Sequence, residues 1–236
     1  MKKLIVVTGG TKGIGKALIL KFAQHNFDVV TCARNKQDLE ELEREFKEKF
    51  SDNQIHTLVS DLSIKEKVDE FSNFVLAQNK PIDVLINNTG VFFPGKVTEE
   101  EEGVLEKMIE TNLYSAYHLT RKLVKNIIET KNASIFNICS TASIKPYING
   151  GSYCISKYAL LGFTKVLREE LKPFNTRVTA VLPGATLTAS WEGAPYPEER
   201  FIPASDIAEA IFSAYQLSPQ TVIEELLIRP MLGDIE

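Results

Sequence analysis

The sequence predicts an α/β fold: a doubly wound, parallel, seven-stranded sheet with helices on both faces, built as one domain over residues 1–236. Short apolar, β-branched runs alternate with longer stretches of helical periodicity from one end of the chain to the other. The first run, Leu4–Val7, passes through a glycine-rich turn, Thr8-Gly9-Gly10 to Gly13-x-Gly15, directly into a helical pattern. No repeat, low-complexity segment or linker interrupts the alternation.

Taken in order, Leu4–Val7 suits a strand buried on both faces, and Phe27–Cys32 reads as a second strand. Lys36–Phe50 carries Leu39, Leu42 and Phe46 at helical spacing among charges, which predicts a surface helix. Ile55–Val59 is strand three, ended by Asp61. Ser63 and Glu66 then stand as a capping box for a helix through Val68, Phe71, Val75 and Leu76. Pro81–Ile86 is strand four and runs into Asn87-Asn88-Thr89-Gly90. Thr98-Glu99-Glu100-Glu101 repeats the T-x-x-E pattern, with acids where the helix dipole favours them, and reads as a solvated helix start with no other role.

Leu105–Ile109 and Leu113–Ile128 continue as one helix or two, with Asn112 beginning a helix after Thr111. Ser134–Ile138 is strand five, Tyr153–Leu171 a helix whose end is marked by Pro173, and Arg177–Leu182 strand six. An irregular segment, Ala185–Pro203, precedes a helix at Ser205–Leu217 and a closing strand at Val222–Ile228. Ligands of such sheets sit beyond the carboxyl ends of the strands. Thr8–Gly15, Cys32–Arg34, Asp61, Asn87–Gly90, Ser140 and Pro183–Thr188 therefore gather on one edge.

Composition narrows the function. The hydrophobic share of 44% and charged share of 25% are those of an ordinary soluble domain. A net charge of −4 gives no general attraction to nucleic acid or anionic lipid. Gly9 ends the apolar run after Lys2 and Lys3 before a secretory core could form, and no stretch is long enough to span a membrane. Cys32, Cys139 and Cys154 lack C-x-x-C spacing and read as reduced thiols of a cytoplasmic protein. His25, His56 and His118 lie far apart, so no metal site is expected.

The glycine turn alone reads two ways. Gly10, Gly15 and Lys16 match a triphosphate loop, G-x-x-x-x-G-K-[ST], up to Ala17, where the Mg²⁺-binding hydroxyl is absent. The spacing of Gly9, Gly13 and Gly15 also departs from G-x-G-x-x-G. Either way, free N–H groups and the positive end of a helix face an anion.

Tyr153 and Lys157 share a helix face. A tyrosine needs roughly 4 kcal/mol of preferential phenolate stabilisation to titrate near neutrality, and a nearby ammonium in a partly closed site could supply much of it. Gly150-Gly151-Ser152-Tyr153-Cys154 approaches the nucleophile elbow G-x-S-x-G, but Cys154 replaces the last glycine and no histidine is placed to complete a triad. Ser152 reads instead as a helix N-cap.

Thr8-Gly9-x-x-x-Gly13-x-Gly15, Asp61-Leu62, Asn87-Asn88-Thr89-Gly90, Asn112, Ser140, Tyr153-x-x-x-Lys157 and Pro183-Gly184 with Thr188 occur in that order over most of the chain. In this the sequence resembles the compact, single-domain short-chain dehydrogenases/reductases, whose fold is of the Rossmann type. The resemblance implies an oxidoreductase that interconverts a carbonyl and an alcohol. Tyr153 would be general acid or base, Ser140 would bond the substrate carbonyl, and Lys157 would lower the Tyr153 pKa and bind the nicotinamide ribose. Asn112 would hold a water that links Lys157 to solvent.

The resemblance also distributes the cofactor contacts. The turn residues Gly9, Thr11, Lys12, Gly13, Ile14 and Gly15 would cradle its phosphates, and Asp61 and Leu62 would border the adenine. Asn88, Thr89 and Gly90 would line the cleft, with Pro183, Thr186 and Thr188 at the carboxamide. Thr89 stands where the family commonly has alanine, and the Leu-Leu-Ile-Arg-Pro ending departs from the ketoacyl-carrier reductases.

Strand two ends Thr31-Cys32-Ala33-Arg34, without the acid that selects NAD. Arg34 can fork onto a 2′-phosphate, and Lys12 could reach the same group. One charged hydrogen bond of roughly 1.5–3 kcal/mol amounts to about a tenfold or greater preference for NADP, so NADP(H) is the expected cofactor. Ala185–Pro203, with Trp191, Tyr196 and Phe201, is the expected substrate lid, and Phe92 and Phe93 add to a partly apolar pocket for a small-molecule substrate. The rival reading is a catalytically silent NADP-binding regulator or scaffold. A homodimer or homotetramer through Leu113–Ile128 and Tyr153–Leu171 is implied by the resemblance.

Overall fold

The computed structural model describes residues 2–188, 193 and 195–235. β1 (Lys3–Thr8) leads to α1 (Gly13–Gln24), β2 (Phe27–Ala33) to α2 (Lys36–Lys49), and β3 (Ile55–Val59) to α3 (Lys65–Leu76). β4 (Val84–Asn87) is followed by α4 (Val104–Ile109), a π-helical turn (Glu110–Tyr114) and α5 (Ser115–Glu129), which run on without a break. β5 (Ser134–Ile138), α6 (Gly151–Leu171), β6 (Arg177–Pro183), α7 (Ala204–Gln216) and β7 (Glu225–Ile228) complete the chain.

Among the described residues the seven strands form one sheet in the order β3-β2-β1-β4-β5-β6-β7, with every neighbouring pair parallel. The order reverses between β1 and β4, where Val7 stands opposite Ile86. That switch point is where a doubly wound sheet opens its ligand crevice. Successive strand residues serve opposite faces. Ile5, Val7, Val29 and Ile86 pack under α1, α2 and α7 with Phe22, Phe46 and Phe212. Leu4, Val6, Val30 and Leu85 pack under α3, α5 and α6 with Phe71, Leu123 and Leu167. Burial on both faces explains why the strands read as continuous apolar runs.

Several boundaries differ from expectation, each for a local reason. Ser63 does not cap α3: its N–H and hydroxyl both go to Asp61 Oδ1, at 3.0 and 2.8 Å, and Ile64 takes the cap position. Strand four starts at Val84 because the segment before it bonds elsewhere. Ile82 N–H donates to Asn126 Oδ1, and the Asp83 carboxylate accepts from Leu4 N–H. Thr98–Glu101 is not a helix start, since α4 begins at Val104 after Gly103, whose φ of 89° lies in the left-handed region. Ser152 is not the N-cap of α6; Gly150 holds that position, and the Ser152 N–H and hydroxyl both donate to Glu100. The last strand is shorter than expected, and Trp191 lies outside the described residues.

Phe22 joins α1 to α7. Its ring meets Phe27 and Phe212 edge-on, each at 5.1 Å between centroids, and it is fully buried. Phe22→Ala should destabilise the protein by about 3–5 kcal/mol, read as a lower denaturant midpoint with little change in m-value.

Candidate active site

The crevice floor is built where β1 and β4 end. Thr8 Oγ1 accepts the N–H groups of Asn88 and Thr89 at 2.9 and 3.0 Å, and Asn88 Nδ2 donates to the carbonyls of Thr8 and Gly9 at 2.9 and 3.1 Å. α1 then packs so close that a Cβ on Gly15 would lie 2.3 Å from Gly9 O and 2.6 Å from Asn88 Nδ2. Gly13 has a φ of +52°, and a Cβ there would meet Thr188 Cγ2 at 2.9 Å, so the structure brings the segment after β6 onto the glycine turn.

α1 has neither a side-chain cap nor an acid in its first turn among the described residues. Its leading N–H groups and dipole are thus available to an anion. A cradle with no room for a Cβ and no competing carboxylate fits the pyrophosphate of a dinucleotide. Thr11 and Ile14 lie half-buried within this turn.

Around the cradle the expected residues fall into three groups. Arg34 is exposed just past β2 and makes no hydrogen bond or ion pair among the described residues, whereas Lys12 pairs with Asp38 Oδ2 at 2.9 Å. Asp61 is engaged with Ser63, and the Leu62 side chain is buried in the core beneath the sheet. Pro183 ends β6, and Thr186, buried, donates its hydroxyl to Gly184 O at 3.0 Å.

Ser140, Tyr153, Lys157 and Asn112 meet from three elements: the turn after β5, α6 and the π turn. Ser140 follows β5 and caps a short 3₁₀ turn at Thr141–Ser143, its Oγ accepting the Ala142 N–H at 3.1 Å. Its side chain faces the phenol of Tyr153. Burial pushes the Tyr153 phenol above the ordinary tyrosine range, and the Ser140 hydroxyl beside it opposes that shift. Lys157 is buried, donates to Ile138 O at 2.9 Å, and lies 5.7 Å from the Tyr153 ring centroid. Burial lowers its pKa from 10.5 to about 8.

Asn112 does not begin a helix. It sits inside the π turn, buried, accepting the Val91 N–H at 2.7 Å and donating to Val91 O at 3.0 Å and Ser156 Oγ at 2.9 Å. A Cβ on Gly90 would stand 3.3 Å from Asn112 Oδ1 and 3.5 Å from Lys157 Nζ, so these groups share one corner of the crevice. Phe92 adds an aromatic wall, its ring edge-on to Tyr153 at 4.9 Å.

Three participants escaped the sequence reading. Ser156 ties Asn112 to the Tyr153 carbonyl, donating to the latter at 2.8 Å, and its spacing of three from Tyr153 could have suggested it. The Ile138 carbonyl holding Lys157 leaves no side-chain signal. Tyr147, about half exposed, stands near Tyr153, and nothing in its sequence context marks it.

The Lys157 shift has a definite pH signature. The folded chain releases this proton near pH 8 and the unfolded chain near 10.5. Between those values the unfolded state binds more protons, so unfolding free energy rises with pH. Compared with Lys157→Met, the wild type should gain on the order of 3 kcal/mol across that window in denaturant titrations. Parallel stability curves for the two proteins would rule the shift out.

Comparison with known proteins places this geometry. The family model for short chain dehydrogenases matches residues 3–197. The sepiapterin reductase of Chlorobaculum tepidum is 30% identical over 244 aligned residues, covering 100% of this chain and 99% of that protein. The alcohol dehydrogenase of the archaeon Thermococcus sibiricus, solved with 5-hydroxy-NADP, matches with a TM-score of 0.90 and 26% identity, covering 99% of each chain. A metagenomic short-chain oxidoreductase solved with NADP matches with a TM-score of 0.84 and 31% identity, covering 98% of each. The glycine turn, the parallel sheet and a match running from β1 past β6 lead to one conclusion: the chain belongs to the short-chain dehydrogenase family.

Proposed function

We propose that this chain is an NADP(H)-dependent oxidoreductase that interconverts a small carbonyl compound and its alcohol, with Tyr153 as proton donor in reduction and acceptor in oxidation. The observation that carries the reading is the meeting of Ser140, Tyr153, Lys157 and Asn112 at one corner of the crevice. When bound, the nicotinamide supplies or accepts the hydride. Gly9, Gly13 and Gly15 give the pyrophosphate room, and the first-turn N–H groups of α1 bind it. Ser140 Oγ hydrogen-bonds the substrate oxygen and steadies the developing alkoxide. Tyr153 delivers its proton to that oxygen, and the buried Lys157 ammonium favours the phenolate left behind. Asn112, fixed by Val91 and Ser156, borders Lys157 where its proton is replenished.

Selection of NADP over NAD rests on Arg34, exposed at the end of β2 with no acid beside it on the strand end. The NADP-type ligands of the two solved relatives support this choice. Lys12 joins Arg34 on the 2′-phosphate by leaving Asp38. Phe92 and Phe93 are exposed, Phe92 against Tyr153, and Tyr196 and Phe201 meet edge-on across the segment after β6, which supports a partly apolar pocket under a lid at about 185–203. Tyr114, Tyr117, Ile155, Tyr158 and Val166 are exposed along α5, α6 and the π turn, which supports assembly into a homodimer or homotetramer. No helix among the described residues is long and apolar enough to cross a membrane; we take the cytoplasm as its compartment.

A panel of ketones and aldehydes, run with NADPH and with NADH, tests the activity. Tyr153→Phe should lower kcat by about a hundredfold or more while leaving NADPH binding intact. Tight NADPH binding with no turnover of any carbonyl would favour the silent regulator instead. Arg34→Ala should weaken NADPH about tenfold and leave NADH unchanged, measured by fluorescence titration. Equal affinity of the wild type for both cofactors would sink the NADP assignment.

A further inference from the structure

Glu100, in the segment between β4 and α4, is the acid whose place in the fold departs furthest from its sequence context. It turns inward to α6: its Oε1 accepts the Ser152 N–H at 2.9 Å, and its Oε2 accepts the Ser152 hydroxyl. The next residue along the helix is Tyr153. Room for the carboxylate exists because two glycines face it. A Cβ on Gly151 would lie 2.0 Å from Glu100 Oε1, and one on Gly95 would lie 2.7 Å from Glu100 Cγ. Gly95 N–H also donates to Asn149 O at 2.9 Å, and Gly95 pairs with Gly150 as a parallel bridge. Backbone and side chain together fasten the segment to the first turn of α6.

The same segment carries Phe92, whose ring stands edge-on to Tyr153 at 4.9 Å. Among the described residues, the start of the Phe92 segment is tied by hydrogen bonds to the π turn alone, through the Asn112 amide on Val91. With neighbours Phe93 and Pro94 exposed, the wall would otherwise be tethered at one end. Glu100 and Gly95 supply the second tether.

We propose that Glu100 is a positioning residue: its carboxylate clasps the Phe92 segment to the amino end of the Tyr153 helix and thereby fixes the Phe92 ring against the Tyr153 ring, as a wall beside which the carbonyl compound meets the phenol. This rests on the carbonyl-reducing role proposed for Tyr153. Glu100 touches neither substrate nor cofactor. It acts through Phe92 and Ser152, so its loss changes how substrate is presented to Tyr153 and leaves the glycine cradle untouched.

Five variants test this: Glu100→Ala, Glu100→Gln, Ser152→Ala, Phe92→Ala and the double variant Glu100→Ala/Phe92→Ala. In Glu100→Ala, kcat/KM for the carbonyl should fall about tenfold or more through misplacement, while NADPH affinity stays within about twofold. Glu100→Gln should rescue it, because the amide oxygen still accepts the Ser152 N–H and the amide nitrogen can donate to the Ser152 hydroxyl. Ser152→Ala removes one of the two contacts and should fall between them. In the Phe92→Ala background, Glu100→Ala should add little, since the wall it positions is gone.

Hydrogen exchange supplies a readout independent of turnover. Glu100→Ala should speed exchange in 95–103 and in the first turn of α6, and Glu100→Gln should not. Full multiplicativity of the Glu100 and Phe92 effects, a glutamine variant as poor as the alanine one, or unchanged exchange in Glu100→Ala overturns the proposal. If the wild type reduces no carbonyl, the reading of Tyr153 fails, and the exchange measurements still decide whether the clasp exists.

Discussion

Everything in the crevice depends on how closely the ends of β1 and β4 are held. The two strands are neighbours, yet the chain leaves them toward opposite faces of the sheet, α1 to one side and the α4–α5 helix to the other. Such a divergence opens a gap lined by backbone groups that the sheet no longer pairs. The Thr8 hydroxyl closes its floor by accepting two N–H groups from the β4 turn, and Asn88 returns the link to the β1 carbonyls. With the floor fixed, α1 can approach only if position 15 lacks a Cβ. Thr8, Gly15 and Asn88 therefore express one constraint.

The chemical corner places an opposite demand on the fold, because it buries an ammonium. Lys157 has no carboxylate partner among the described residues; it has the Ile138 carbonyl and a place beside the Tyr153 ring. Desolvation lowers its pKa, and the same burial raises that of Tyr153. Each group is thus shifted away from its charged form, and each charged form would be favoured by the other. A phenolate beside an ammonium in a low-dielectric crevice is stabilised more strongly than the same pair in water. Under the role proposed for Tyr153, the burial that strips solvent from Lys157 is also what would make its charge effective on that phenol.

Much of this was legible in the sequence, and the remainder was hidden for identifiable reasons. Strands buried on both faces announce themselves as apolar runs, so β3 and β5 fall on Ile55–Val59 and Ser134–Ile138 as read. The resemblance singled out Ser140, Tyr153 and Lys157, and the fold brings them to one crevice because they fall at the end of β5 and on one face of α6. Where a competing acceptor decides the outcome, the pattern misleads. Ser63 and Ser152 both look like caps, but Asp61 and Glu100 provide acceptors for their N–H and hydroxyl groups. Thr98–Glu101 looks like a helix start, but Glu100 is drawn to α6 by a contact across 52 residues that local propensity cannot register. Lys12 reads as a free cation until α2 brings Asp38 beside it.

The unresolved choice between one helix and two around Asn112 has a geometric answer. Met108, Asn112, Ala116 and Thr120 are all buried, four residues apart in sequence. A step of four overshoots a turn of 3.6 residues by about 40°, so a strict α-helix would carry this row off the buried face. The wide turn at Glu110–Tyr114, where Ser115 N–H reaches back to Glu110 O, returns part of that rotation. Widening also loosens the local backbone ladder, and Ser115 Oγ donates to Thr111 O at 2.5 Å within it. Asn112 thereby faces inward with its amide at Val91 and Ser156, while Leu119, Leu123 and Ile127 still reach the core. A uniform helix of this sequence would have to give up either the core contacts or the amide beside Lys157; the π turn is the local distortion that allows both.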